Sequence, residues 1–148
     1  MKALDYPPVW LVGALAITWA LVYIFPQTQV SLPAQELVAQ TLLGAGLVLM
    51  GLAVFEMTRA KTTIIPRHDP NALVISGIFR FTRNPIYLGD LLVLGAGIFW
   101  WGSVSALPLL WIFKSTIENR FINGEEAKMT EHFGADFEKW AKKTRRWI

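Results

Sequence analysis

Two long uncharged stretches, residues 9–25 and 37–55, decide what this chain can become. Each approaches the length that carries a helix through the hydrocarbon core of a bilayer, about 17–25 residues at 1.5 Å per residue. Backbone polar groups inside lipid must be satisfied within their own segment, so such stretches are helices. The first reads as a transmembrane helix rather than a secretory signal. Only Lys2 and Asp5 charge the residues ahead of it, and Pro26-Gln27-Thr28 beyond it is no small-x-small cleavage site. Trp10 and Tyr23, near its two ends, suit the two interfaces. A second span is expected over 36–58, where Gly44, Ala45, Gly46 and Gly51 offer small surfaces for close helix approach.

Two further apolar segments complete the pattern. Residues 85–101 read as a third span closing on Trp100, Trp101 and Gly102, and 103–117 as a fourth, with a kink expected at Pro108. The turn between them permits only an antiparallel hairpin. From 118 to 148 the chain is polar, and Ala127, Met129, Phe133, Phe137, Trp140 and Ala141 recur at loose helical spacing. That spacing predicts an amphipathic helix bent at Gly134. The expected architecture is a single all-α integral membrane domain over residues 1–148, with four transmembrane helices.

The placement of charge orients this arrangement. Lys2 precedes the first span; Arg59, Lys61, Arg67, Arg80 and Arg83 lie in the 59–84 connection; the remaining basic residues run from Lys114 onward. All fourteen Lys and Arg thus fall on one side of a four-span chain, and the connections on the other side hold none. By the positive-inside rule both termini and the long connection face the cytoplasm. The absence of cysteine excludes disulfides, thiolate metal sites and cysteine nucleophiles, and His68 and His132 lie too far apart for a metal pair. The expected partner is the lipid bilayer, with no nucleic acid.

The chemistry is concentrated where the 59–84 connection meets the third span. Asn84 suits an N-cap and Pro85 the first helical position. A helix starting there points free N–H groups and its positive dipole end back at the connection. Arg83 adds a full charge beside them, which suits a carboxylate or phosphate, or else merely anchors a helix end. Tyr87 and Asp90 are i, i+3 neighbours on one face of that helix. Glu56, Asp90 and Glu118 fall near the cytoplasmic ends of spans two, three and four, where ionisable groups are costly. Glu56 reads as an interfacial anchor or a partner of nearby arginine. Glu125 and Glu126 either fold back toward Arg83 or are simply solvated. The apolar runs 62–65 and 72–75 lie on the bilayer surface or fold over a pocket.

Taken together, Gly77, the run Arg83-Asn84-Pro85-Ile86-Tyr87-Leu88-Gly89, the pair Glu125-Glu126 and Phe133-Gly134 resemble the integral-membrane methyltransferases. These include isoprenylcysteine carboxyl methyltransferase and the phospholipid N-methyltransferases, which share Arg-His-Pro-x-Tyr-x-Gly at a loop-to-helix junction and a later Glu-Glu pair. The likeness covers the chain from about Thr62 to the C-terminus. It implies S-adenosylmethionine as methyl donor, held on the cytoplasmic side by the signature loop and the C-terminal helix. Carried over by position, Gly77, Arg83, Asn84, Pro85, Tyr87, Gly89, Glu125 and Glu126 would bind the cofactor. Apart from the resemblance, the candidates for catalysis are Arg83, which would position the cofactor, and the span-end acids Asp90 and Glu118, either of which would handle the acceptor proton. Asn84 replaces the histidine of the signature, and Phe137 and Trp140 stand where tyrosines often occur. The acceptor expected first is a phospholipid or other lipid amine, then a carboxylate or thiol. The rival readings are a small four-helix transporter, which wants a carboxylate at mid-depth of a span, and a non-catalytic scaffold.

Overall fold

The computed structural model describes residues 5–65 and 68–148, so Lys2 and Arg67 lie outside the described residues, as does Pro66. Among the described residues there is no strand, only one isolated antiparallel bridge between Gln29 and Ser103. The helices are α1 (Pro7–Ile24), α2 (Gln35–Arg59), α3 (Pro85–Trp101), α4 (Pro108–Ile117) and α5 (Asn123–Ala141). Proline opens α1, α3 and α4, at positions whose N–H has no intrahelical partner. Of these, α1 and α2 are long and apolar enough to cross a membrane, and α3 is a shorter apolar helix of 17 residues.

The fourth segment departs from expectation at both ends. Its first residues form a 3-10 turn at Val104–Ala106, and α4 starts only at Pro108. Pro108 therefore begins a helix instead of kinking one. Nor does the helix stop at 117. It passes through a π-helical turn at Glu118–Ile122 straight into α5 and runs on to Gly134. There φ 47° and ψ −122° break the helix, in a region of backbone space that glycine alone enters easily.

Packing is organised by α3. The longest contact is with α2, and α1 and α4 pack on α3 as well. Gly46 and Gly89 bring the α2 and α3 backbones together: a Cβ on either would lie 2.8 Å from the other's carbonyl oxygen. Gly44 and Gly51 face open space, so only part of the expected small-residue surface is used. Tyr87, Leu94 and Ile98 of α3 bury themselves against Phe113 and Ile117 of α4 and Phe121 and Ile122 of the π-turn. The outer faces stay apolar, with Val12 and Ile17 on α1, Leu47, Val48 and Leu52 on α2, and Trp111 and Ile112 on α4 all exposed. So continuous an apolar exterior belongs in lipid.

The two ends of the bundle differ. At one, the N–H of Val30 donates to the Gly102 carbonyl at 2.9 Å and the Thr28 hydroxyl to Ser105 Oγ at 3.0 Å, pinning two short turns together. At the other, Arg120 forks onto the Asp5 carboxylate, and the long connection meets the C-terminal tail.

Candidate functional site

The 59–84 connection folds back over the ends of α2 and α3. Val74 and Phe79 bury themselves against Ala53, with Met57, Ile86 and Trp140 packed around them. Thr62 Oγ1 accepts from the N–H groups of Asn71 and Ala72, which pinches the loop at its waist. The Ser76 hydroxyl donates to Glu56 at 2.5 Å, so Glu56 tethers the loop where an anchor or an arginine partner was expected. Lys128 on α5 reaches Asp69 at 2.6 Å, and this hydrogen bond and charge hold the Asp69 carboxyl below its usual range.

Under this cover lies a cavity of about 390 Å³, within the size range of small-molecule sites, about 300–1,000 Å³. Its polar wall is Arg83, Asn84, Tyr87, Glu125 and Glu126. Its apolar wall includes Met50, Val54, Ile86 and Met129, with Phe137 and Trp140 beside them. Pro7 and Pro8 at the start of α1 also reach it.

The polar wall is held by the last residues of the chain, which form a strap across the start of α3. Arg83 donates from its backbone N–H to the Arg145 carbonyl and from Nη1 to the Ala141 carbonyl, both at 3.0 Å. Asn84 occupies the N-cap position of α3, yet its side chain makes no cap. Its Nδ2 donates instead to the Arg146 carbonyl at 3.0 Å, which also accepts from the Thr82 hydroxyl at 3.3 Å. Thr82 Oγ1 in turn accepts from the Asn84 N–H at 3.2 Å. The expected capping role of the Asn84 side chain has gone to docking the strap.

Two guanidiniums converge on Glu126. Arg83 Nη2 lies 3.1 Å from it and Arg146 Nε 3.2 Å, and the bond raises the Arg146 guanidinium above its already high ordinary value. Arg83 Nε is buried and has no hydrogen-bond partner among the described residues, which leaves a charged donor wanting an acceptor. Nearby, the Tyr87 hydroxyl donates to Glu125 Oε1 at 2.8 Å. Asp90 sits one turn deeper along α3; it lines the cavity, is only 5% exposed, and accepts no hydrogen bond from the described residues.

The fold thus gathers Arg83, Asn84, Pro85, Tyr87, Asp90, Glu125 and Glu126 around one cavity. Three other expected site residues lie elsewhere. Gly77, with φ 55°, lies against the Glu56 side chain, and Gly89 faces α2. Glu118 accepts from Trp147 Nε1 and lies 3.8 Å from Lys114, apart from the cavity lining. Arg146, Thr82 and Lys128 carry no mark in the sequence, where they read as ordinary polar tail and loop.

A family model described as phospholipid methyltransferase matches residues 34–136, well over half of the chain. The chain belongs to the phospholipid methyltransferase family. The matched region takes in Arg83, Tyr87, Asp90, Glu125 and Glu126, and leaves α1 and the strap outside. Membership of the phospholipid methyltransferases sets the class of activity, and α1 and α2 accord with the membrane setting of a lipid-modifying family. No curated protein and no solved structure matches the chain.

Proposed function

We propose that this phospholipid methyltransferase family member uses S-adenosylmethionine to methylate a lipid-borne acceptor at the cytoplasmic face of a membrane. In this reading α1, α2, α3 and the α4 segment are the four spans, and both termini are cytoplasmic, since every basic residue then lies inside. The observation that carries the reading is the unsatisfied Nε of Arg83 on the wall of a cavity that also presents the Tyr87–Glu125 pair.

The donor set fits the cofactor. Arg83, together with the start of α3, offers a cationic, N–H-rich corner for a carboxylate. Glu125, oriented by the Tyr87 hydroxyl, offers an acceptor for an ammonium or for ribose hydroxyls. Phe137, Trp140 and Met129 give the apolar and aromatic surface that a purine covers. Bound there, S-adenosylmethionine supplies a methyl group already activated as a sulfonium. What remains for the chain is to position the two reactants and exclude water, which the strap and the folded-back loop accomplish. Glu118 has no part in this scheme, because its carboxylate is committed to Trp147.

The acceptor reaches the cavity from the side. α1 and α2 each pack on α3 rather than on one another, and Pro7, Met50 and Val54 of those helices line the cavity. These residues are apolar, which suits an acyl or prenyl chain that keeps its tail in the bilayer while its head enters.

Isothermal titration of the detergent-purified chain with S-adenosylmethionine tests the cofactor claim. Saturable binding by the wild type and its loss in Arg83→Ala are expected. Absence of binding by the wild type, or undiminished binding by the variant, removes the reading.

A further inference from the structure

Outside the cavity, the end of the 59–84 connection and the end of the chain are joined into one face. The Trp140 indole N–H donates to the Phe79 carbonyl at 3.2 Å, while Thr82 and Arg83 bond to the carbonyls of Arg146 and Arg145. Arg80 and Phe81 are thus tied to the tail on both sides, and they stand exposed between buried Phe79 and Thr82. On the tail, Lys139, Lys142 and Lys143 flank Trp140 and Arg145 follows, all of them exposed. None of these cations forms an ion pair among the described residues, and the Arg145 side chain reaches only the Ile148 carbonyl, at 3.4 Å. Against them the tail sets Asp136 and Glu138, which are exposed and equally without an ion pair among the described residues.

The negative end of α5 accounts for lysines about its last turn, but not for Arg80 or Arg145, which lie on other segments. Lys139 and Lys142, at i and i+3, repel one another unless an anion comes between them. Phe81 is 74% exposed amid this charge, a poor setting for a ring with only water over it.

We propose that this face docks on a bilayer surface bearing anionic phospholipid, where the cations meet headgroup phosphates and Phe81 enters the headgroup layer. Cations around an aromatic ring, at the end of a bundle whose exterior is apolar, have the composition of a membrane interface. The docking goes beyond methyl transfer and needs neither cofactor nor acceptor. Its consequence falls on the strap: the carbonyls of Arg145 and Arg146 hold Arg83 and Asn84, so a bilayer that grips the tail clamps the edge of the cavity.

Amide hydrogen exchange on the full chain tests this, in nanodiscs of phosphatidylcholine alone and of phosphatidylcholine mixed with phosphatidylglycerol. Peptides over 79–84 and 139–148 should exchange several-fold more slowly in the mixed discs, and raised salt should weaken the effect. Replacing Arg80, Lys139, Lys142 and Lys143 together by Gln should abolish the difference, with exchange inside α2 and α3 showing that the variant is folded. Phe81→Ala, which keeps every charge, should reduce it, and Lys61→Gln, a cation outside the face, should leave it intact. Equal exchange of the wild type in the two kinds of disc overturns the proposal and leaves the face to a soluble acidic partner. A difference that survives in the Gln variant overturns it too, as does equal protection by soluble glycerol phosphate added to the phosphatidylcholine discs.

Discussion

The Tyr87 hydroxyl meets Glu125 at 2.8 Å, closing a contact between the first turn of α3 and the start of α5. Tyr87 is itself buried against Phe121, with ring centroids 6.4 Å apart, so the phenol cannot swing away. The bond fixes where one carboxylate of the Glu125-Glu126 pair stands relative to Arg83.

Tyr87→Phe removes that bond and keeps the ring. A hydrogen bond to a charged group contributes about 1.5–3 kcal/mol. Affinity for S-adenosylhomocysteine should fall about tenfold or more, with little change in helix content by circular dichroism. Titration calorimetry beside the wild type decides it, and unaltered affinity would sever Tyr87 from the site.

Arg146→Ala strips one of two guanidiniums from Glu126 and loosens the strap, while the Arg146 carbonyl that Asn84 and Thr82 use remains. Proteolysis near the C-terminus should quicken several-fold and cofactor affinity should drop less than in Arg83→Ala. Should the two variants lose affinity equally, the strap would be part of the binding surface rather than its support.

Gly89→Ala places a methyl group 2.8 Å from the Gly46 carbonyl and 2.7 Å from Met50 Cγ. Overpacking of this kind costs about 1–3 kcal/mol. The midpoint of thermal unfolding in detergent should fall by several degrees, whereas Gly51→Ala, which meets nothing within 4 Å, should leave it nearly in place.

Lys128 holds the Asp69 carboxyl below its ordinary value of 3.8. The stabilisation from this clasp is therefore present above that pH and is lost as pH falls through the lowered value. Carbon-13 titration of the Asp69 carboxyl should give a midpoint below 3.8 in the wild type and near it in Lys128→Ala. Identical midpoints would detach the loop from α5.

Much of this was legible in the residues, and for identifiable reasons. Uncharged runs announce α1 and α2 because lipid tolerates nothing else, and Asn84-Pro85 marks the start of α3 because proline suits a first turn. Gly134 signals its break through the backbone freedom it alone has. Pro108 misled because the same residue that kinks a helix interior is comfortable at its beginning, and spacing alone cannot say which end is near. The strap was hidden for a different reason. Its anchoring groups are mostly backbone carbonyls, at Ala141, Arg145 and Arg146, and every residue possesses one. Gly89 belongs to the same stretch as Arg83 and Tyr87, yet its place on the helix surface turns it toward α2.

The wide turn at Glu118–Ile122 sets the phase of the whole C-terminal helix. Inserting one residue into an α-helix rotates every later residue by about 100°. With that offset Glu125 and Met129 come round to the same azimuth as Phe113 and Ile117, so a greasy seam becomes the wall of a polar chamber without any change of rod. Tightening that turn into regular α-helix with all its residues kept would swing the acids by about 100° away from the cavity, while every side chain of its wall was still in the sequence. The make-up of the cavity wall is in this sense written partly as a count.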